Sequence, residues 1–127
     1  MKIDLSDLNT SYHSAVVGYP GALPNGIYRA ALISAEITLS KNRNRQVQWI
    51  LRAEMPSGEL GTTMKFSPLI PQGLSFLRLD LLKLGVILDD LNELHDVLPC
   101  LVGAGIMIEV QDDFYTGFHK VDFLRKI

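Results

Sequence analysis

Hydrophobic and polar positions alternate through two early segments of the chain, with the period of two that is typical of half-buried strands. In GIYRAALISAEITLS, one face carries Ile27, Ala31, Ile33, Ala35, Ile37 and Leu39, and the more polar face carries Tyr28, Ser34, Glu36 and Thr38. In QVQWILRAEM, one face carries Val47, Trp49, Leu51, Ala53 and Met55. The pattern predicts two strands joined by the polar turn at 41–45, with Trp49 in the core.

The later segments continue this alternation after one change of period. A turn at Pro56-Ser57-Gly58 precedes a shorter third strand, Leu60 to Phe66, which ends at the prolines that follow. Apolar residues spaced three and four apart then predict a helix: Leu74, Leu77, Leu81 and Leu84, with Gly85 at its end. Asp89 or Asp90 could cap a second, shorter helix that Pro99 stops. Two further strands are predicted at 104–110 and 118–124.

The order of these elements predicts the fold class. Three strands, a helix and two more strands indicate a mainly β protein, a five-stranded OB-type barrel with a helix between strands 3 and 4, plus a short second helix. The first helix would plug the open end of the barrel with its leucines. Five strands at this spacing also suit other partly open barrels or sandwiches. Residues 1–25 have no sustained period and predict an N-terminal arm, which leaves 26–127 as the barrel domain.

Composition agrees with one globular domain. The chain has 127 residues, of which 47% are hydrophobic and 20% are charged, enough for a single core. We find no run of about 20 apolar residues that would cross a bilayer. The N-terminal residues MKIDLSDLNTSYHS are too polar for a signal peptide. The sequence therefore predicts a protein of the cytoplasm without membrane contact.

The sequence shows no pattern typical of a catalytic or metal-binding site. A single cysteine, Cys100, excludes an internal disulfide, and His13, His95 and His119 lack metal-ligand spacing. Adjacent acids such as those at 89–90 and 112–113 point in divergent directions and resemble cap and loop residues. No nucleophile stands with a base, and no glycine loop is built to hold a phosphate. We expect a protein that is not an enzyme and has no cofactor or metal.

Charge is distributed unevenly along the chain. The formal net charge is -2, yet residues 37–79 hold six bases and two acids, whereas residues 80–113 hold eight acids and one base. Two segments of opposite net charge favour different partners on different surfaces. The basic segment suits nucleic acid, and the acidic segment suits another protein.

Several segments resemble small phage-encoded single-stranded-DNA-binding proteins of the OB-fold type. They are LPNGIYRAALISAEITLSKN at the first strand, the alternating QVQWIL, the helix end LLKLGV, and LVGAGIMIEVQ before the last hairpin. The resemblance covers most of the chain from about Leu23 onward. It implies an OB fold and a role in phage DNA replication or recombination, in the cytoplasm of the host. Unlike the cellular proteins of this type, the chain ends in FLRKI rather than in an acidic tail.

Binding a single strand needs cations for the phosphates and flat side chains on which bases stack. OB barrels place these on strands 2 and 3 and on the loops joining strands 1–2 and 4–5. The candidate nucleic-acid-binding residues are therefore Tyr28, Lys41, Arg43, Arg45, Arg52, Lys65, Phe114, Tyr115, His119 and Lys120. Tyr28 is the preferred stacking residue because it shares the more polar face of its strand, and Phe66 could lie on either face.

Two other functions compete with DNA binding. The domain could be an adaptor that binds a recombinase, a replication protein or a host protein through the acidic 80–113 region, or it could be a structural protein of the phage. Exposed edge strands of small barrels commonly pair, so a homo-oligomer is also expected.

Overall fold

A computed structural model describes residues 3–9, 23–112 and 119–127. A mainly β fold is confirmed, with five antiparallel strands in the order β3-β2-β1-β4-β5 and two helices. The strands are β1 (Gly26–Leu39), β2 (Arg45–Glu54), β3 (Leu60–Pro68), β4 (Gly105–Asp112) and β5 (His119–Lys126). The helices are α1 (Leu74–Lys83) and α2 (Leu94–Leu101), both after β3 and before β4. Short 3₁₀ turns cover Ser6–Leu8, Pro71–Gly73 and Leu91–Glu93.

The sheet is open, so the closed form of the predicted barrel is not observed. Strand β1 is central and pairs with both β2 and β4, while β3 and β5 form the two edges. Within the described ranges no backbone ladder joins those edges. They do approach each other, because the Lys65 ammonium on β3 donates a 2.7 Å hydrogen bond to the carbonyl of Val121 on β5.

A bulge in β1 reverses the faces that the alternation predicted for its first half. The pairing with β2 shifts between Leu32 and Ser34, which leaves Ile33 as an extra residue. After the bulge Ala35 is buried as predicted, but before it Tyr28, Ala30 and Leu32 face the core. The expected inward positions of Ile27, Ala31 and Ile33 are therefore wrong, since one extra residue exchanges the two sides of a strand.

The core lies between the inner face of the curved sheet and the two helices. Trp49 is fully buried, as predicted, and its ring meets Phe123 edge-on with centroids 5.3 Å apart. Its indole N–H donates a 2.9 Å hydrogen bond to the hydroxyl of Ser67 on β3. The polar part of the largest core residue is thereby satisfied, and this contact ties β2 to β3 from inside.

The helices are placed differently from the single plug that the sequence predicted. Helix α1 packs on β3 and β5, next to the gap between the sheet edges, and α2 packs on β1. Pro99 does not stop α2 but lies within it. Burial of Leu98 and Leu101 on either side of it gains about 1.5–3 kcal/mol each, which offsets the roughly 3 kcal/mol cost of an internal proline. No helix in the described residues has the length and apolar character to cross a membrane.

Candidate nucleic-acid interface

The outer face of the sheet, meaning the side turned away from the core, carries an open arginine at its centre. Arg52 on β2 is exposed and pairs with Thr62 on β3 and Ala31 on β1. Ala31 in turn pairs with Gly105 on β4. Because the three neighbours of Arg52 along this row have small side chains, its guanidinium is reachable by a ligand lying across the strands.

Two more arginines share this outer face. Arg29 on β1 pairs with Met107 on β4, and Met107 pairs with Arg125 on β5. Arg29 is two residues from the partner of Arg52, a diagonal separation of about 7–8 Å. Arg125 lies two strand spacings from Arg29, or about 10 Å. We call Arg29, Arg52 and Arg125 the arginine row.

The arginine row keeps its charge available. Among the described residues the ion pairs are Lys65–Asp80 and Lys120–Asp122, and none of the three arginines takes part in one. All three side chains are exposed. A guanidinium that is neither paired nor buried can bind a phosphate without first breaking another contact.

An apolar ledge lies on the same outer face as the arginine row, two to four residues along β3 from Thr62, the partner of Arg52. Phe66 is 49% exposed and Met64 is 47% exposed, and both point to the outer face because their neighbours Lys65 and Ser67 point inward. Across the ladder, Met64 pairs with Ile50. The exposed aromatic ring offers a surface on which a base can stack.

Acidic residues limit how far the cationic surface extends. Glu36 pairs with Gln48, which itself pairs with Phe66, so one carboxylate lies two strands from the ring. Glu109 follows Met107 on the outer side of β4. Glu54 also faces outward, two residues after Arg52 on β2. The outer face therefore carries charges of both signs, consistent with the net charge of -2.

The hairpin joining β1 to β2 carries the predicted Lys41 and Arg43 at its exposed tip. Its shape is fixed by Ser40, whose N–H donates to the carbonyl of Asn44 and whose carbonyl accepts from Arg43. The tip lies beyond the start of β2, about 25 Å from Arg52 by strand geometry. A ligand that contacts both must run along β2.

Arg45 lies on a different side from the other predicted cations. It begins β2 two residues before the buried Val47, and so faces the inner side of the sheet. There it lines a shallow cleft with Asn92 and His95. The structure therefore places Arg45 on the opposite side from the outer face, although Arg45 is only two residues from Arg43 in the sequence.

Tyr28 is a correction to the predicted site. The ring belongs to the core at 9% exposure, and its hydroxyl donates a 2.6 Å hydrogen bond to the carbonyl of Pro24. The expectation of an exposed stacking surface is wrong because the bulge in β1 reverses the faces. The same reversal turns Arg29 outward, whereas an unbroken alternation would place it with Ile27 and Ala31 on the inner face.

Lys65 is a second correction, because its charge is already engaged. The ammonium lies 3.5 Å from the carboxylate of Asp80 on α1 and donates to Val121, with only 16% of the side chain exposed. Burial raises the pKa of Asp80, and the charge of Lys65 opposes that rise. Lys65 thus links β3, α1 and β5 rather than offering a free cation to phosphate.

The predicted residues near the last hairpin fall mostly beyond the described structure. Phe114 and Tyr115 lie outside the described residues, and of His119 only the backbone is described, paired with Asp112. Lys120 is 63% exposed and lies 3.8 Å from the carboxylate of Asp122. An exposed pair of this kind is weak and exchanges readily, so it leaves Lys120 accessible.

Within the described ranges no three His, Cys, Asp or Glu residues converge as metal ligands would. In comparisons with known proteins, the chain matches no family model and no curated protein at a significant level. The features that point to a function are therefore the arginine row and the apolar ledge on the same outer face.

Proposed function

We propose that this chain binds single-stranded DNA across the outer face of its sheet. One observation carries the proposal: three exposed arginines, none of them in an ion pair among the described residues, stand on the same outer face of the sheet as an exposed aromatic ring. Phosphates would pair with the arginine row, and a base would stack on Phe66. Such contacts touch the backbone and the ring faces of bases, so the protein would bind with little sequence preference.

The strand order supports the finer proposal that the sheet is an OB-type barrel opened along one seam. A long, bulged β1 shared between β2 and β4, with β3 and β5 left as the edges, corresponds to a partly open five-stranded barrel. The bond from Lys65 to Val121 crosses the open seam. In barrels of this type the face of strands 2 and 3 and the 1–2 loop bind oligonucleotides, which matches Arg52, Phe66 and the hairpin tip.

The resemblance to phage proteins gives the proposed role its setting. We assign the protein to the replication or recombination of phage DNA inside the host cell, where DNA that is transiently single-stranded must be protected. In that role the protein acts without catalysis, by holding the strand and shielding its bases.

An oligonucleotide titration tests the proposal, with fluorescence anisotropy of labelled oligo-dT as the readout. We expect binding at low salt, and a loss of about tenfold in affinity for Phe66→Ala, because one stacked base contributes about 1–3 kcal/mol. Val102→Ala is the control, since Val102 is also exposed but lies at the end of α2. No binding at low salt, or equal losses for both variants, would count against the outer face.

A further inference from the structure

A groove beside α1 exposes apolar side chains that the proposed function does not use. It encloses about 290 Å³ between the helix and the segment that follows it. The groove is lined by Arg78 and by eight apolar side chains between Leu74 and Leu91. Ile87 is 75% exposed, Leu82 48% and Leu91 46%, values more typical of an interface than of a solvated surface.

The apolar surface continues along the helix beyond the groove. Leu79 is 49% exposed and Phe76 is 70% exposed, at intervals of three residues from Leu82. Neighbouring turns of a helix bring such positions together. The groove and this stripe, which we call the α1 patch, expose on the order of 500 Å² of large apolar side chains.

The charges around the groove are of both signs and stand apart. Arg78 lines the groove from α1, while Asp89 is exposed in the segment between Leu88 and Leu91. The hydrogen bond at Asp89 is made by its backbone N–H, which donates to the carboxylate of Glu93. A purely basic partner would meet Arg78, and a purely acidic one would meet Asp89.

We propose that the α1 patch docks a second copy of this chain in a two-fold symmetric dimer. Two-fold symmetry makes every contact reciprocal, so an arrangement that sets Arg78 of one copy against Asp89 of the other forms the same pair twice. The apolar side chains of two patches together bury about 1,000 Å², the lower limit for a specific interface. A copy of the same surface thus satisfies the charges and the area at once.

The dimer would leave the outer face of each sheet free. The buried side of α1 joins the core through Leu77 and Leu81, so the helix lies on the inner side of the sheet. The arginine row lies on the other side. Two copies would then present two DNA-binding faces on one particle.

Sedimentation velocity of the full chain over a wide range of protein concentration tests the proposal. We expect a concentration-dependent dimer, and a monomer for Ile87→Asp because a carboxylate would be buried at the centre of the patch. Ile27→Asp is the matched control, since Ile27 is also exposed but lies on β1, and it should remain a dimer. Circular dichroism checks that each variant is folded.

A charge exchange tests the two-fold geometry itself. Arg78→Glu alone and Asp89→Arg alone should each weaken the dimer, because each sets like charges against each other. The double variant Arg78→Glu/Asp89→Arg should recover it. A wild-type chain that stays monomeric at every concentration overturns the proposal, as does a dimer that Ile87→Asp leaves unchanged or a double variant that is no better than either single one.

Discussion

Replacing Lys65 with methionine tests the contact that holds the two sheet edges together. The substitution keeps the apolar stem and removes the ammonium. That group donates a 2.7 Å hydrogen bond to the carbonyl of Val121 and lies 3.5 Å from the carboxylate of Asp80. It also removes a cation 5.3 Å from the centre of the Phe123 ring. After the change, the Val121 carbonyl loses its donor and the largely buried Asp80 loses its nearest opposite charge.

The expected cost follows from these losses. Removing one member of a buried ion pair costs about 3–5 kcal/mol of unfolding free energy. Of that total, the loss of a charged hydrogen bond accounts for roughly 1.5–3 kcal/mol. Burial already raises the pKa of Asp80, so its carboxyl can take up a proton and lower the penalty. We therefore expect a loss of about 3 kcal/mol in unfolding free energy, or a fall in Tm of about 10 °C for a chain of this size.

Urea denaturation followed by the fluorescence of Trp49 measures this loss, because the single tryptophan is buried against Phe123. The double variant Lys65→Met/Asp80→Leu should be more stable than Lys65→Met, since it leaves no unpaired carboxylate. Lys83→Met is the control: Lys83 is a half-buried lysine of the same helix, without a hydrogen bond or ion pair in the described structure, and its charge acts on Asp80 more weakly than that of Lys65. A change of less than about 0.5 kcal/mol for Lys65→Met would refute the reasoning.

Three further results are expected. Because burial raises the pKa of Asp80, the folded state holds its proton more tightly than the unfolded chain. The free energy of unfolding should therefore contain a contribution that falls as pH rises above 3.8, the ordinary pKa of an aspartate. Urea titrations over a pH series should show that Asp80→Asn lacks this contribution. Ser67→Ala leaves the buried indole N–H of Trp49 without its acceptor and should cost about 1–3 kcal/mol by urea denaturation, whereas Ser57→Ala in an exposed turn should cost almost nothing. Arg43→Ala at the hairpin tip should weaken oligo-dT binding without lowering Tm, while Arg45→Ala on the inner side should have the smaller effect; the reverse order would place the DNA on the other side of β2.

Much of the fold could be predicted because the alternation in β2 is uninterrupted. Val47, Trp49, Leu51 and Ala53 are all buried as expected, and Gly85 near the helix end takes the left-handed φ of 79° that favours glycine. The bulge in β1 could not be predicted, because Ile33 is as apolar as its neighbours and nothing local marks it as the extra residue. The prediction that Pro99 stops the second helix is wrong for a similar reason. The free-energy cost of a proline inside a helix is outweighed by the burial of neighbouring leucines, which only the tertiary structure shows.

The candidate site was harder to predict than the fold for the same physical reason. Its cations come from three strands that are distant in sequence, and Arg29 faces outward only because of the bulge. Arg125 joins the row through the pairing of Met107 on β4 with both neighbouring strands. The charged hairpin is visible as a run of bases in the sequence, whereas the arginine row exists only once the sheet has formed.

The salt dependence of DNA binding tests the role of the arginine row most directly. Each phosphate contact to a single strand adds about 0.7 to the slope of log affinity against log salt concentration. We predict that Arg29→Ala/Arg52→Ala binds oligo-dT more weakly and lowers the magnitude of that slope by about 1.4, while Lys83→Ala leaves it unchanged. A double variant that keeps the wild-type slope and affinity would contradict the proposal that DNA lies across the outer face.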